Sequence, residues 1–346
     1  MQNGITSSAP GKLILTGEHS VVYGEPALIG AISLCTTASI QRSKDSAMTI
    51  FSKQLGGCRE ETAVLLKRCF EEAKAIWSSS LGKNRDYKLN RLRRDPYVVM
   101  KIAAGGALRA LGRIDGGFRI KIDSELPVGS GLGSSASVAG AMMGAVGRLY
   151  GKRWDLERLN RMVFATEKIM HGKPSGGDNT AVVYGGILRF QRKNDSFVFQ
   201  HITMKEGFIP EIVLVDSGRP EETTGEIVEG VEVKSQKSKV KSIIRKMGKV
   251  SEAIISDFRK GNLNADSIRE NERLLEELGV VGEMAQRMVR LIEGIGGAAK
   301  ICGAGGIRKG SGILLVYHDD LEKLQHFFCA NEWSYLPVKF GVGGIR

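Results

Sequence analysis

The chain has 346 residues, 42% hydrophobic and 25% charged, a balance that buries a real core and leaves room for two domains. Its net charge of +12 favours anionic partners: nucleic acid, acidic membranes, or phosphorylated and carboxylate metabolites. The 44 glycines cluster without a fixed period, which excludes a collagen-like repeat and a solenoid.

Along the chain, KLILTG (12–17), VVYG (21–24) and ALIGAISLCTTASI (27–40) read as strands rich in β-branched residues. Helical periodicity marks 59–78 and 97–111, and GFRIKID (117–123) alternates Phe118, Ile120 and Ile122 on one face of a strand. PVGSGLGSSAS (127–137) then opens a helix of small apolar residues over 137–150. A helix over 155–170 starts at Asp155, a good N-cap. YGGILRF (184–190), SFVFQHI (196–202) and EIVLVDSG (211–218) follow as strands. Residues 237–293 read as helical with a break at 261–266, and KICGAGGIRKGSGILLVYH (300–318) is a second glycine loop entering a strand. Strands and helices come in blocks, so the expected class is α+β with mixed sheets, divided into 1–195 and 196–346.

Five cysteines without a CxxC pair argue against a disulfide framework or structural zinc and fit a reducing cytoplasm. The N-terminus lacks the regions of a signal peptide, and no run of 18 apolar residues provides a membrane span. The basic runs 83–94 and 233–249 lack the interleaved aromatics of a single-strand binder, so no nucleic-acid partner is expected.

In the first glycine loop, backbone N–H groups converge at a helix start with no side chain in the way, an arrangement that favours phosphate. The hydroxyls of Ser134, Ser135 and Ser137 follow at once. No Gly-Lys pair precedes Ser or Thr, which excludes a Walker A loop. Gly131, Gly133 and Ala136 satisfy a relaxed dinucleotide pattern, but the acids about 20 residues on, Asp155 and Glu157, lie in a helical stretch. The expected anion is a nucleotide held by neither device.

Glu167 falls within the apolar stripe of Leu156, Leu159, Val163 and Met170. A carboxylate there needs a buried Arg or Lys, or a cation; magnesium held by Ser135, Glu167 and phosphate oxygens is the sharper alternative. Asp178, among Pro174, Gly176, Gly177 and Asn179, is either turn chemistry or a base for a substrate hydroxyl. Lys12 lies between Ala-Pro-Gly and an apolar run, so it is either a surface residue or a cation aimed into a cleft; Glu18 and His19 follow in the next turn.

Together these segments resemble the GHMP kinases, the superfamily of galactokinase, homoserine kinase, mevalonate kinase and phosphomevalonate kinase. The motifs are APGKLILTGEHSVVYGEPAL (9–28), PVGSGLGSSAS, EKIMHGKPSGGDN (167–179) and KICGAGG (300–306), in family order across most of the chain. GEHSVVYGEPAL is most similar to the branch that phosphorylates mevalonate. The resemblance implies a ribosomal protein S5 domain 2-like N-terminal domain, a ferredoxin-like C-terminal domain, and ATP in the cleft between them. It implies nucleotide contacts from Pro127, Gly129, Ser130, Gly131, Leu132, Gly133, Ser134, Ser135 and Ala136, and Mg²⁺ on Ser135 and Glu167. Asp178 and Lys12 become the catalytic pair; Lys12, His19, Asp178 and Thr224 become contacts for the small carboxylate substrate. A homodimer is the candidate assembly. Three departures stand out. Cys302 replaces the usual Ser or Thr of the third motif, Ile307–Arg308 interrupt its glycines, and Gly177 stands where many relatives carry an apolar residue.

Overall fold

The computed structural model describes residues 4–79, 87–127, 129–194, 196–206, 208 and 210–346. Residues 83–86 of the first basic run and Val128 of the first glycine loop therefore lie outside the described residues. The chain builds two sheets. The first holds β1 (Ile5–Thr16), β2 (Ala27–Ser43), β3 (Ala47–Ser52), β4 (Gly57–Thr62), β5 (Gly117–Ser124), β6 (Ile187–Lys193) and β7 (Ser196–His201). The second, in the order β11-β8-β10-β9, holds β8 (Glu211–Asp216), β9 (Ala298–Ile301), β10 (Ile313–Tyr317) and β11 (Tyr335–Lys339).

β2 organises the first sheet. One edge pairs antiparallel with β1, setting Lys12 opposite Ala31. The other edge is shared, with β6 on residues 27–30 and β5 on residues 36–43. Only the β3–β5 pair is parallel, so this sheet is mixed, whereas every pairing in the second sheet is antiparallel. The class is α+β, as expected.

Helices α1 (Ala63–Ser79), α2 (Tyr87–Arg93), α3 (Val98–Leu111), α4 (Ser134–Leu149), α5 (Leu156–His171) and α6 (Gly177–Tyr184) accompany the first sheet. The small side chains of α4 let it lie against β1. A Cβ at Gly144 would stand 2.4 Å from Ser7 Oγ, a distance no side chain tolerates. Helices α7 (Thr224–Lys234), α8 (Ser238–Arg259), α9 (Ala265–Leu278), α10 (Glu283–Gly294) and α11 (Leu321–Ala330) belong to the second half. The basic run 233–249 lies mostly on α8, whose apolar face buries Val240, Ile243, Ile244 and Met247 while its lysines stay exposed.

Three sequence expectations shift. VVYG forms one turn of 3-10 helix, Ser20–Tyr23, because His19 (φ 59°) and Gly24 (φ 94°) turn the backbone left-handed on either side of it. Residues 59–62 pair with β3 as strand, so the first helix starts at Ala63. Leu156 is exposed, and the apolar stripe of α5 begins at Leu159. The expected division at 195/196 falls between the paired strands β6 and β7, and the change of sheet follows β7. We propose 202–210 as the boundary, with one exception: residues 340–346 return to the first sheet. There Gly341 N–H donates to Ala31 O (2.7 Å), and Ser8 and Arg346 exchange backbone hydrogen bonds (2.9 and 2.8 Å).

Candidate active site

The first glycine loop adopts the backbone its composition calls for. Gly129, Gly131 and Gly133 all have φ near +75°, a conformation side chains resist, and Gly133 caps α4. A Cβ on Gly133 would lie 2.7 Å from Lys12 Cγ, so the loop closes directly over the lysine of β1. Lys12 N–H donates to Leu132 O at 2.9 Å, fastening loop to strand.

The serines divide by role. Ser137 is buried and donates to Ala9 O (2.8 Å), and Ser130 donates to Pro127 O (2.8 Å), so both hydroxyls stabilise the local fold. Ser134 and Ser135 remain partly exposed in the first turn of α4. The side chains of Leu132 and Ala136 are in the core, which leaves only their backbone to a ligand.

Lys12 is buried, and its Nζ lies 3.2 Å from Asp178 Oδ1. Asp178 stands in the first turn of α6 rather than on an irregular loop, and its side chain is 36% exposed. Gly177 begins that helix, donating its N–H to Ser175 Oγ at 3.2 Å, so this departure still leaves Asp178 on regular structure.

Glu167 is 1% exposed on α5 and, among the described residues, pairs with no Arg or Lys. Its nearest basic group is His171 Nε2, at 3.6 Å from Oε2. His171 also lies 3.2 Å from Ser135 Oγ. Oε1 is buried with no hydrogen-bond partner among the described residues. Burial, with the Asp178 carboxylate nearby, pushes the Glu167 carboxyl up to about 8, against the pull of Ser135 and Lys12. Such a group fits a cation bound beside it, so Glu167 and Ser135 suit Mg²⁺. Among the described residues no group of three or more His, Cys, Asp or Glu side chains would hold a metal. Magnesium bound here would thus draw its remaining ligands from phosphate oxygens and water.

His19 is buried, and its Nε2–H donates to Ala304 O at 2.9 Å in the second glycine loop. Burial lowers its pKa, and with Nε2 engaged by Ala304 the ring leaves Nδ1 for a ligand. Thr224 stands exposed at the start of α7, capped by the Thr223–Glu226 box, and makes no hydrogen bond to Lys12, His19 or Asp178.

Cys302 is a buried thiol pushed up to about 12 by burial, and its carbonyl oxygen lies 3.3 Å from where a Gly131 Cβ would stand. The two glycine loops therefore face each other across the domain junction. The Ile307–Lys309 interruption turns away, tied to the α7 approach by Arg308–Glu222 (3.3 Å) and Lys309–Glu221 (2.8 Å). Two cavities, about 280 Å³ beside Glu222, Glu226 and Val280 and about 620 Å³ beside Arg219, Pro220 and Met284, include neither Lys12 nor Asp178. Convergent polar chemistry, rather than volume, locates the site at the first glycine loop. Sequence reasoning missed two members of its surroundings, Lys300 and Glu272. Glu272 stands on the buried stripe of α9 with Ile268 and Leu275, the same signal that singled out Glu167.

Residues 98–186 match the GHMP kinases N terminal domain. A mevalonate kinase of Thermococcus gammatolerans is 32% identical over 321 residues, covering 87% of this chain and 86% of that protein. A Methanococcus jannaschii mevalonate kinase structure superimposes with a TM-score of 0.80 at 23% identity, covering 99% of each chain. An L. major mevalonate kinase in complex with R-mevalonate gives 0.74 at 21% identity, covering 99% of this chain and 98% of that one. The ordered motifs, the facing glycine loops and these likenesses agree: the chain belongs to the mevalonate kinase family of the GHMP kinases.

Proposed function

We propose that this chain transfers the γ-phosphoryl group of ATP to the 5-hydroxyl of mevalonate, giving 5-phosphomevalonate and ADP. The observation that carries the reading is the Lys12–Asp178 pair, 3.2 Å apart beneath a glycine loop that a Cβ would fill. Phosphoryl transfer asks the protein for positioning and charge stabilisation more than for covalent chemistry. Backbone N–H groups of Gly129, Gly131, Gly133 and Ser134 cradle the phosphates at the positive end of α4. Asp178 accepts the proton of the 5-hydroxyl as its oxygen bonds to the γ-phosphorus and the bond to ADP breaks. Lys12 stabilises the charge on the attacking oxygen and on the phosphoryl group. His19, its Nε2 held by Ala304, presents Nδ1 to the substrate. Ser135 and Glu167 would hold Mg²⁺, which when bound would neutralise phosphate charge. Thr224 is a substrate contact only in an arrangement that brings α7 closer. The unpaired cysteines support a cytoplasmic setting.

ADP release in a coupled assay over mevalonate, phosphomevalonate, homoserine and galactose tests the reading. Turnover confined to mevalonate is the expected result. Turnover confined to another of these would keep the kinase and change its substrate, and none at all would overturn both.

A further inference from the structure

A second buried lysine lies outside the reacting group. Lys300, in β9, is 0% exposed; its Nζ donates to Glu18 Oε1 and, at 2.7 Å, to Ile301 O. Glu18, 2% exposed, belongs to the turn after β1 in the first domain. Glu272 on α9 completes the cluster, its Oε2 accepting from Ile301 N–H at 3.0 Å. One ammonium thus ties a turn of one domain to a strand of the other.

Affinity between domains does not need such a pair. Desolvating two ions costs several kcal/mol each, and apolar side chains of the same volume often serve as well. What the pair adds is direction: an ammonium that also bonds a backbone carbonyl tolerates little sliding. Its neighbours show what is held in place. His19, next to Glu18, reaches Ala304 O, and Cys302, two residues beyond Lys300, presents its carbonyl to the first glycine loop at Gly131.

We propose that Lys300 and Glu18 are positioning residues that set the register of the two domains at the active site, with Glu272 anchoring the strand that carries Lys300. The pair touches no reacting atom; it fixes the His19 turn against the second glycine loop, and that loop against the first. This rests on the phosphoryl-transfer reading, in which a displacement of about 1 Å costs on the order of 10²-fold in rate.

The test compares Lys300→Met with the double variant Glu18→Gln/Lys300→Met, and adds Glu18→Asp. Lys300→Met strands a buried carboxylate, so a sharp fall in thermal midpoint is expected. The double variant removes both charges and is expected to recover the midpoint, yet keep kcat/KM for mevalonate roughly tenfold or more below wild type. Binding of a fluorescent ATP analogue should stay within about threefold, since the first glycine loop is intact. Glu18→Asp keeps the charge but shortens its reach, and should fold while losing about tenfold in kcat/KM. Wild-type kinetics in the folded double variant, or in Glu18→Asp, would overturn the proposal and leave the pair a purely stabilising contact. If wild type itself releases no ADP with mevalonate, the reaction reading fails separately. Hydrogen exchange then decides the positioning role: residues 17–20 and 302–306 should open faster in the double variant than in wild type, and unchanged exchange would overturn it.

Discussion

Lys12 and Lys300 are both buried, but their partners differ in access. The Asp178 side chain opposite Lys12 is 36% exposed, whereas Glu18 opposite Lys300 is 1% exposed. An ion pair that substrate must enter needs one partner within reach of solvent, because the incoming hydroxyl replaces water at the carboxylate. A pair sealed on both sides exchanges nothing, and its energy goes into holding backbone segments at a fixed spacing. On the proposed reading the first lysine serves chemistry and the second alignment, and the open carboxylate is what separates them.

The largest expected effect tests the open pair. Asp178→Asn and Lys12→Met should each lower kcat by about 10²–10⁴-fold, and Asp178→Asn, which leaves the buried Lys12 ammonium without its carboxylate, should also lower the thermal midpoint. Full turnover by Asp178→Asn would erase the distinction. Next, Glu167→Gln should raise the half-saturating Mg²⁺ concentration by roughly tenfold or more, since even outer partners of a metal site are worth about 10–100-fold in affinity. An unchanged Mg²⁺ requirement would return Glu167 to a structural role.

The sealed cluster is probed by pH. Burial pushes the Glu272 carboxyl from 4.5 up to about 8, so the folded state holds this proton more tightly than the unfolded chain. Its contribution is fully present below about pH 4.5 and is lost as the pH rises toward 8. Glu272→Gln removes that loss, so its advantage over wild type in urea unfolding should grow from pH 5 to 8. On the order of 1–3 kcal/mol is expected at the upper end. A pH-independent difference would show that Glu272 is not titrating in the fold. The smallest effect should come from Arg308→Ala: its pairs to Glu221 and Glu222 engage an exposed guanidinium, and such contacts contribute little. Turnover lost in that variant would mean that the interrupted glycine motif takes part in the site.

Much of this was legible in the sequence where periodicity and composition act alone. EIVLVD, the Asp155 cap, the glycine loop before α4 and the misplaced carboxylate Glu167 all stand where they are expected. Tertiary partners decided the rest. REET reads as helix until β3 claims it, and VVYG reads as strand until the positive φ of His19 redirects the chain. Asp178 looked like turn chemistry because Gly176 and Gly177 hide the start of a helix. The hydrogen bond of His19 was hidden for a similar reason, since Ala304, which engages its Nε2–H, is 285 residues away. Lys300 escaped notice because a lysine in a four-residue strand carries no signal of burial until Glu18 is known to meet it.

The returning segment 340–346 has a consequence for how the protein is made. Ile345 packs into the core of the first domain beside Gly140 and Gly144, and Gly186 N–H donates to Val342 O at 2.7 Å. The first domain is thus completed by residues translated after the second. On the ribosome it must wait for 340–346 to emerge before its last backbone bonds close. Split between the sheets into two co-expressed fragments, the protein should reassemble only when the second fragment carries that segment.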